Sequence, residues 1–180
     1  MNGRTASLGA LAAATLGALA VAADRVLAGR DRDEVPPVDT FVVVDAPPAR
    51  VWDVLADVPG QPRWMTDLKR VDLLDPPPVR AGSRARGLVR ILGVPIADPV
   101  TITAFEPPAH FAIRHDGVFG GEGTIDLEPG ADGRSTIVHW RERLVPPLLP
   151  NLAGRLERPL LRRVFQADLH RLRRLIEETA

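Results

Sequence analysis

Apolar residues recur about once per helical turn near the end of the chain, at Leu152, Leu156, Leu160, Val164, Phe165, Leu169, Leu172 and Ile176. The spacing predicts one long amphipathic helix from Asn151 to Glu178, set off from what precedes it by Val145-Pro-Pro-Leu-Leu-Pro150. Pro159 lies inside the pattern and predicts a kink or break, with residues 151–158 as a flap over whatever the helix covers. Upstream the pattern shortens to runs typical of strands. Thr40–Asp45 is the first, and a short helix over Ala49–Asp57 follows it, with Val51, Trp52, Leu55 and Val58 on one side. Val58-Pro-Gly-Gln-Pro62 stops that helix, and Arg63–Met65 reads as a further helical turn. Six more strand candidates follow: Leu68–Leu74, Ser83–Leu92, Pro95–Phe105, His110–His115, Val118–Leu127 and Ser135–Leu144. The connections leave no room for crossover helices, so the sheet should be an antiparallel meander. An α+β domain follows: a seven-stranded sheet curled around the terminal helix, able to enclose a hollow.

Strand parity assigns the wall of that hollow. In the last strand Thr136, Val138, Trp140, Glu142 and Leu144 share the more apolar face. The same logic turns Phe111, Ile113 and His115 inward, and Val100, Ile102 and Ala104 on the neighbouring strand. The wall is then apolar except for His115 and Glu142, which suits a small hydrophobic ligand held by a few polar groups. Val138, Trp140, Phe111, Ile113, Ile102, Val100, Phe165 and Leu169 are the candidate lining, with Trp64 at the entrance. Glu142 has two readings: a structural ion pair with an arginine such as Arg114, or an unpaired buried carboxyl with a raised pKa, fit for acid–base work. His115 is either half-exposed beside the Asp116-Gly117 turn or the partner of Glu142 in proton transfer. Gly117-Val-Phe-Gly-Gly-Glu-Gly123 opens no helix and is no phosphate loop; it marks a bend or a stretch of backbone lining the hollow.

Composition narrows the function. Basic and acidic residues balance at 23 each, which argues against a nucleic-acid partner. Cysteine is absent, the histidines lack zinc-like spacing, and the serines (Ser7, Ser83, Ser135) sit in no nucleophile elbow, so no metal, cofactor or nucleophilic hydrolysis is expected. The stretch Ala6–Ala23 carries no charge. It reads as a membrane anchor within an N-terminal segment 1–28, with Arg25, Arg30 and Arg32 placing the domain on the cytoplasmic side. Alternatives are a signal peptide cleaved near Ala22, leaving a secreted protein, or a soluble Ala-rich helix. Residues 29–38 read as a linker and 39–180 as the domain. The terminal helix carries Arg155, Arg158, Arg162, Arg163, Arg171, Arg173 and Arg174, either a solvated face or an attraction to anionic headgroups.

Phe41-Val-Val-Val-Asp-Ala-Pro-Pro-Ala-Arg-Val-Trp-Asp-Val-Leu-Ala-Asp57, followed by Pro62-Arg-Trp-Met65, resembles the opening of polyketide cyclase/dehydrase-like proteins of the START-like (SRPBCC) helix-grip superfamily. Thr101–Arg114 is similar to that family's central hairpin and Leu156–Glu178 to its closing helix. The resemblance spans roughly residues 38–178. It implies a helix-grip fold around a ligand cavity. The activity it implies is coarse, because binders, carriers and a few enzymes share the fold without a common catalytic motif. The leading expectation is binding, carriage or sequestration of a small hydrophobic lipid- or polyketide-like molecule. Its rival is a cyclase, aromatase or dehydratase using Glu142 and His115. A third class is an interaction module that uses the arginine face and no ligand.

Overall fold

The computed structural model describes residues 15–26, 35–91 and 93–179. The first stretch is helical (α1), so the anchor expected over residues 6–23 and the linker expected over 29–38 lie partly outside the described residues. The domain then runs β1 (Val38–Val44), α2 (Pro48–Leu55), a 3-10 helix (Val58–Arg63), β2 (Leu68–Leu73), β3 (Arg84–Ile91), β4 (Val94–Glu106), β5 (His110–Asp116), β6 (Gly120–Pro129), β7 (Thr136–Val145) and α3 (Pro150–Glu177). The second helical turn falls at Val58–Arg63 instead of 63–65, because Asp57 accepts from the Gly60 amide and starts it earlier.

The strands form one antiparallel sheet in the order β1-β7-β6-β5-β4-β3-β2. β2 to β7 are a meander, and β1 closes onto β7. Alternation on β1 buries Val38, Thr40, Val42 and Val44 and exposes Phe41 and Val43. A bulge at Thr103 shifts the parity of β4, so Phe105, and not the expected Ala104, packs into the core, against Trp52 and Phe111. α3 lies on the concave side: Leu169, Leu172 and Ile176 are fully buried in one cluster with Val42, Val44, Ile125, Val138 and Trp140. α3 also protects the open edge of β1. Arg158 and Gln166 donate to the carbonyls of Pro37 and Phe41, and Glu177 accepts from the Asp45 amide.

α3 differs from its sequence reading in two ways. It runs unbroken through Pro159. Pro159 is exposed, and a helix can carry a proline on its solvated face because water takes up the carbonyl that loses its N–H partner. The apolar stripe is also two stripes. At about 100° per residue, Phe165, Leu169, Leu172 and Ile176 cluster on one side, while Leu152, Leu156 and Leu160 sit roughly opposite. The structure obeys that geometry: Leu156 and Leu160 are 72% and 57% exposed. The N-terminus of α3 has no cap of its own, with Leu149 in the left-handed region at φ 50°. Asp24 of α1 supplies one, accepting from the amides of Asn151 and Leu152 at 2.9 Å each.

Candidate functional site

The concave face has two unlike ends. At one, Ala85, Ile102, Phe111, Ile125 and Val138 are sealed under α2 and the C-terminal half of α3. At the other, the inward positions Val89, Asp98, Val100, Ile113, His115, Gly121 and Leu144 stay partly accessible. Cross-strand register aligns Val100, His115, Gly121 and Leu144 in one row, with Ile102, Ile113, Gly123 and Glu142 in the next.

The polar groups of the open end meet in one cluster. His115 Nδ1 lies 2.8 Å from Asp98 Oδ2, and Nε2 lies 2.8 Å from Glu142 Oε1. The indole Nε1 of Trp140 donates to Glu142 Oε2, also at 2.8 Å. Glu142 starts two strands away from His115. It crosses β6 because its partner there is glycine: a Cβ on Gly123 would sit 2.3 Å from Glu142 Oε2. That explains one member of the glycine-rich run. Burial alone would keep His115 neutral, but the hydrogen bonds and negative charges of Asp98 and Glu142 outweigh it and push the imidazole up to about 10. The ring is therefore an imidazolium clamped between two carboxylates. Among the described residues no arginine pairs with Glu142; Arg114, the expected partner, faces outward and pairs with Asp116. His115 is not half-exposed either, since its side chain keeps 10% of its surface.

The expected lining divides between the two ends. Val100, Ile113 and Phe165 are partly accessible, and Trp140 joins them to the cluster, its ring centroid 4.7 Å from that of Phe165. Val138, Ile102, Phe111 and Leu169 belong to the sealed core. Trp64, expected at an entrance, is wholly buried, edge-on to Trp140 at 5.9 Å, and its indole N–H has no partner among the described residues. Two acidic residues escaped the sequence reading. Asp98 was findable, since it shares the parity of Val100 and Ile102. Asp168, buried on α3, accepts from the amide and hydroxyl of Thr66 and from Arg171, pinning the segment before β2 to the helix. Burial pushes its carboxyl above the ordinary range, against those hydrogen bonds. Its helical position on the inward face was the available signal.

Among the described residues no three His, Asp or Glu side chains gather as metal ligands. In the cluster the imidazole stands between the two carboxylates and keeps them from converging. His110 and His139 lie on the outer face, beside a groove of about 520 Å³ that Phe41, Asp126, Arg141 and Arg162 also line.

A curved antiparallel sheet gripping a long C-terminal helix, with one end of its concave face left open, defines a helix-grip protein. The chain belongs to the family described as polyketide cyclase / dehydrase and lipid transport, whose profile matches residues 36–177. Solved structures share the fold. A Deinococcus radiodurans protein is 25% identical, with a TM-score of 0.61 over 80% of this chain and 99% of that one. A Thermus thermophilus protein is 18% identical, with a TM-score of 0.65 over 81% and 99%. The Zhui aromatase/cyclase of a Streptomyces species is 20% identical, with a TM-score of 0.64 over 78% and 93%. The search of curated proteins gave no significant match.

Proposed function

We propose that this protein binds, carries or sequesters a small apolar molecule at the open end of its concave face. The observation that carries this reading is the unequal burial of the inner face: apolar positions around Val89, Val100, Ile113 and Phe165 remain reachable beside one buried polar cluster. Burying a ligand there supplies affinity at about 25 cal/mol per Å² of apolar surface. Lipid transport in the family description points the same way. The rival is a cyclase, aromatase or dehydratase, and structural neighbours include an aromatase/cyclase. Against it stands the state of its acid–base pair. Both nitrogens of His115 and both oxygens of Glu142 are already engaged, and an imidazole held near 10 is a poor proton donor at neutral pH. Native mass spectrometry of the full chain purified from its own host, without detergent, tests the proposal. A small molecule retained in gentle conditions and lost on activation is expected. A protein that arrives empty and takes up no apolar probe overturns it.

A second reading concerns location. The outward leucines of α3, Leu156 and Leu160, share their side of the helix with exposed Arg163, while Arg158 reaches the Pro37 carbonyl and Arg162 lines the groove beside Phe41. α1, bearing exposed Leu16 and Leu19, is tied to the same end of the helix through Asp24. No helix among the described residues is long and apolar enough to cross a membrane. The proposed mode is association with an anionic membrane surface through residues 6–23 and this leucine face, with arginines at its flanks and the domain on the cytoplasmic side. Cosedimentation with phosphatidylglycerol vesicles checks it: binding that falls with salt supports the mode, and equal partition to neutral vesicles contradicts it.

A further inference from the structure

We propose that the polar end of the hollow selects ligands that donate a hydrogen bond there, such as a hydroxyl, a phenol or an amine, and turns away carboxylates. The inference rests on the ligand-binding reading and adds the chemistry of the bound molecule's polar terminus.

The argument is a count of donors and acceptors. A carboxylate only accepts, so the 2.8 Å contacts of His115 to Asp98 and Glu142 require a proton on each ring nitrogen. The Trp140 N–H is spent on the second oxygen of Glu142. Every N–H of the cluster thus points at a carboxylate of the same cluster. What is left over is acceptor capacity. Asp98 Oδ2 takes the His115 proton, and Oδ1 makes no hydrogen bond among the described residues. Asp98 is also the most reachable member, its side chain 19% exposed against 10% for His115 and 5% for Glu142.

Charge points the same way. Two carboxylates against one imidazolium leave a net negative charge in a partly buried wall. The neighbouring arginines do not offset it from inside, since Arg114 and Arg143 lie on the opposite parity and pair with Asp116 and Glu122. The inward positions of this end (Val89, Ile96, Val100, Ile113, Gly121 and Leu144) carry no lysine, arginine, serine or threonine. A ligand carboxylate would meet no donor on these inward positions, the unpartnered Trp64 N–H being wholly buried, and would face like charge. A hydroxyl or ammonium finds an ionised acceptor at Asp98, and hydrogen bonds of that kind are the stronger class.

Probes sharing one apolar frame isolate the polar end. Calorimetric titration of the full chain with 2-naphthol and with 2-naphthoate near neutral pH should give at least about tenfold tighter binding of the naphthol. Asp98→Asn, shown by its thermal melt to remain folded, removes a charge and offers an amide donor, and should bring the two affinities within about threefold. Naphthoate binding as tightly as naphthol overturns the selectivity while leaving ligand binding intact. An unchanged preference in Asp98→Asn removes Asp98 from the account. If neither probe binds, the ligand-binding reading falls together with the inference.

Discussion

The two ends of the concave face are built from the same strands yet differ in almost every physical respect. The sealed end is apolar and interlocked. Trp52, Phe105 and Phe111 stack edge to face, and Leu169, Leu172 and Ile176 of α3 close over Ile125 and Val138. The open end holds smaller apolar side chains, two glycines and the clamp of Asp98, His115 and Glu142. α3 repeats the division along its length, inward-facing in its second half and outward-facing in its first. On the proposed reading, the difference teaches that stability and recognition are separated by position on one sheet. Residues that hold the fold sit where Leu169, Leu172 and Ile176 of the helix grip, and the proposed ligand residues sit at the less buried end.

The largest expected effect comes from the sealed end. Leu172→Ala should cost about 2–5 kcal/mol of unfolding free energy in urea melts, because the side chain is fully buried and its neighbours cannot close the space. A cost below about 1 kcal/mol would mean that the grip is looser than described.

Gly123→Ala comes next. Its methyl would collide with Glu142 Oε2, so the carboxylate must swing away from His115. A loss of about 1–3 kcal/mol is expected, together with a fall in the His115 pKa toward its ordinary value, read by NMR titration of the ring. An unmoved pKa would show that Glu142 reaches His115 by another path.

The clamp also sets a pH dependence. Its His115 pKa of about 10 lies above the ordinary 6.5, so the folded state holds the proton more tightly than the unfolded chain. The stabilisation is whole below about pH 6.5, amounts to a few kcal/mol, and is lost as pH rises through about 10. Denaturant midpoints should fall over that window in the native chain. They should flatten in His115→Gln, which keeps a hydrogen bond and removes the titration. A window as steep in the variant would assign it to other groups.

The smallest effect on stability belongs to the outward half of α3. Leu156→Ser with Leu160→Ser should shift stability by no more than about 0.5 kcal/mol, since both side chains are exposed. The same change should weaken cosedimentation with anionic vesicles severalfold. Full retention of vesicle binding would remove this face from the membrane reading.

Much of the architecture was legible in the sequence because local chemistry determines it. Turn residues bounded the strands to within about two positions. The short connections left only an antiparallel meander, and the Phe41–Asp57 segment pointed to the family. Parity turned His115, Trp140 and Glu142 inward correctly, since alternation holds wherever the ladder is regular. It failed at Ala104, where an unannounced bulge shifted the register. The periodic leucines of α3 were read as one stripe because spacings of four residues look continuous along the sequence while drifting about 40° per step around the helix. His115 was named as a partner of Glu142 only as one of two readings, and what decides between them was invisible. It depends on a glycine in the intervening strand, a relation between three strands that no local pattern encodes. The cap from Asp24 to Asn151, separated by 127 residues, was equally out of reach.

Methyl NMR of the full chain titrated with 2-naphthol tests the central claim most directly. The account predicts shifts at Val89, Val100, Ile113 and Leu144, and little change at Val138, Leu169, Leu172 and Ile176. Shifts confined to the sealed end, or to the outer groove beside His110 and His139, would contradict it.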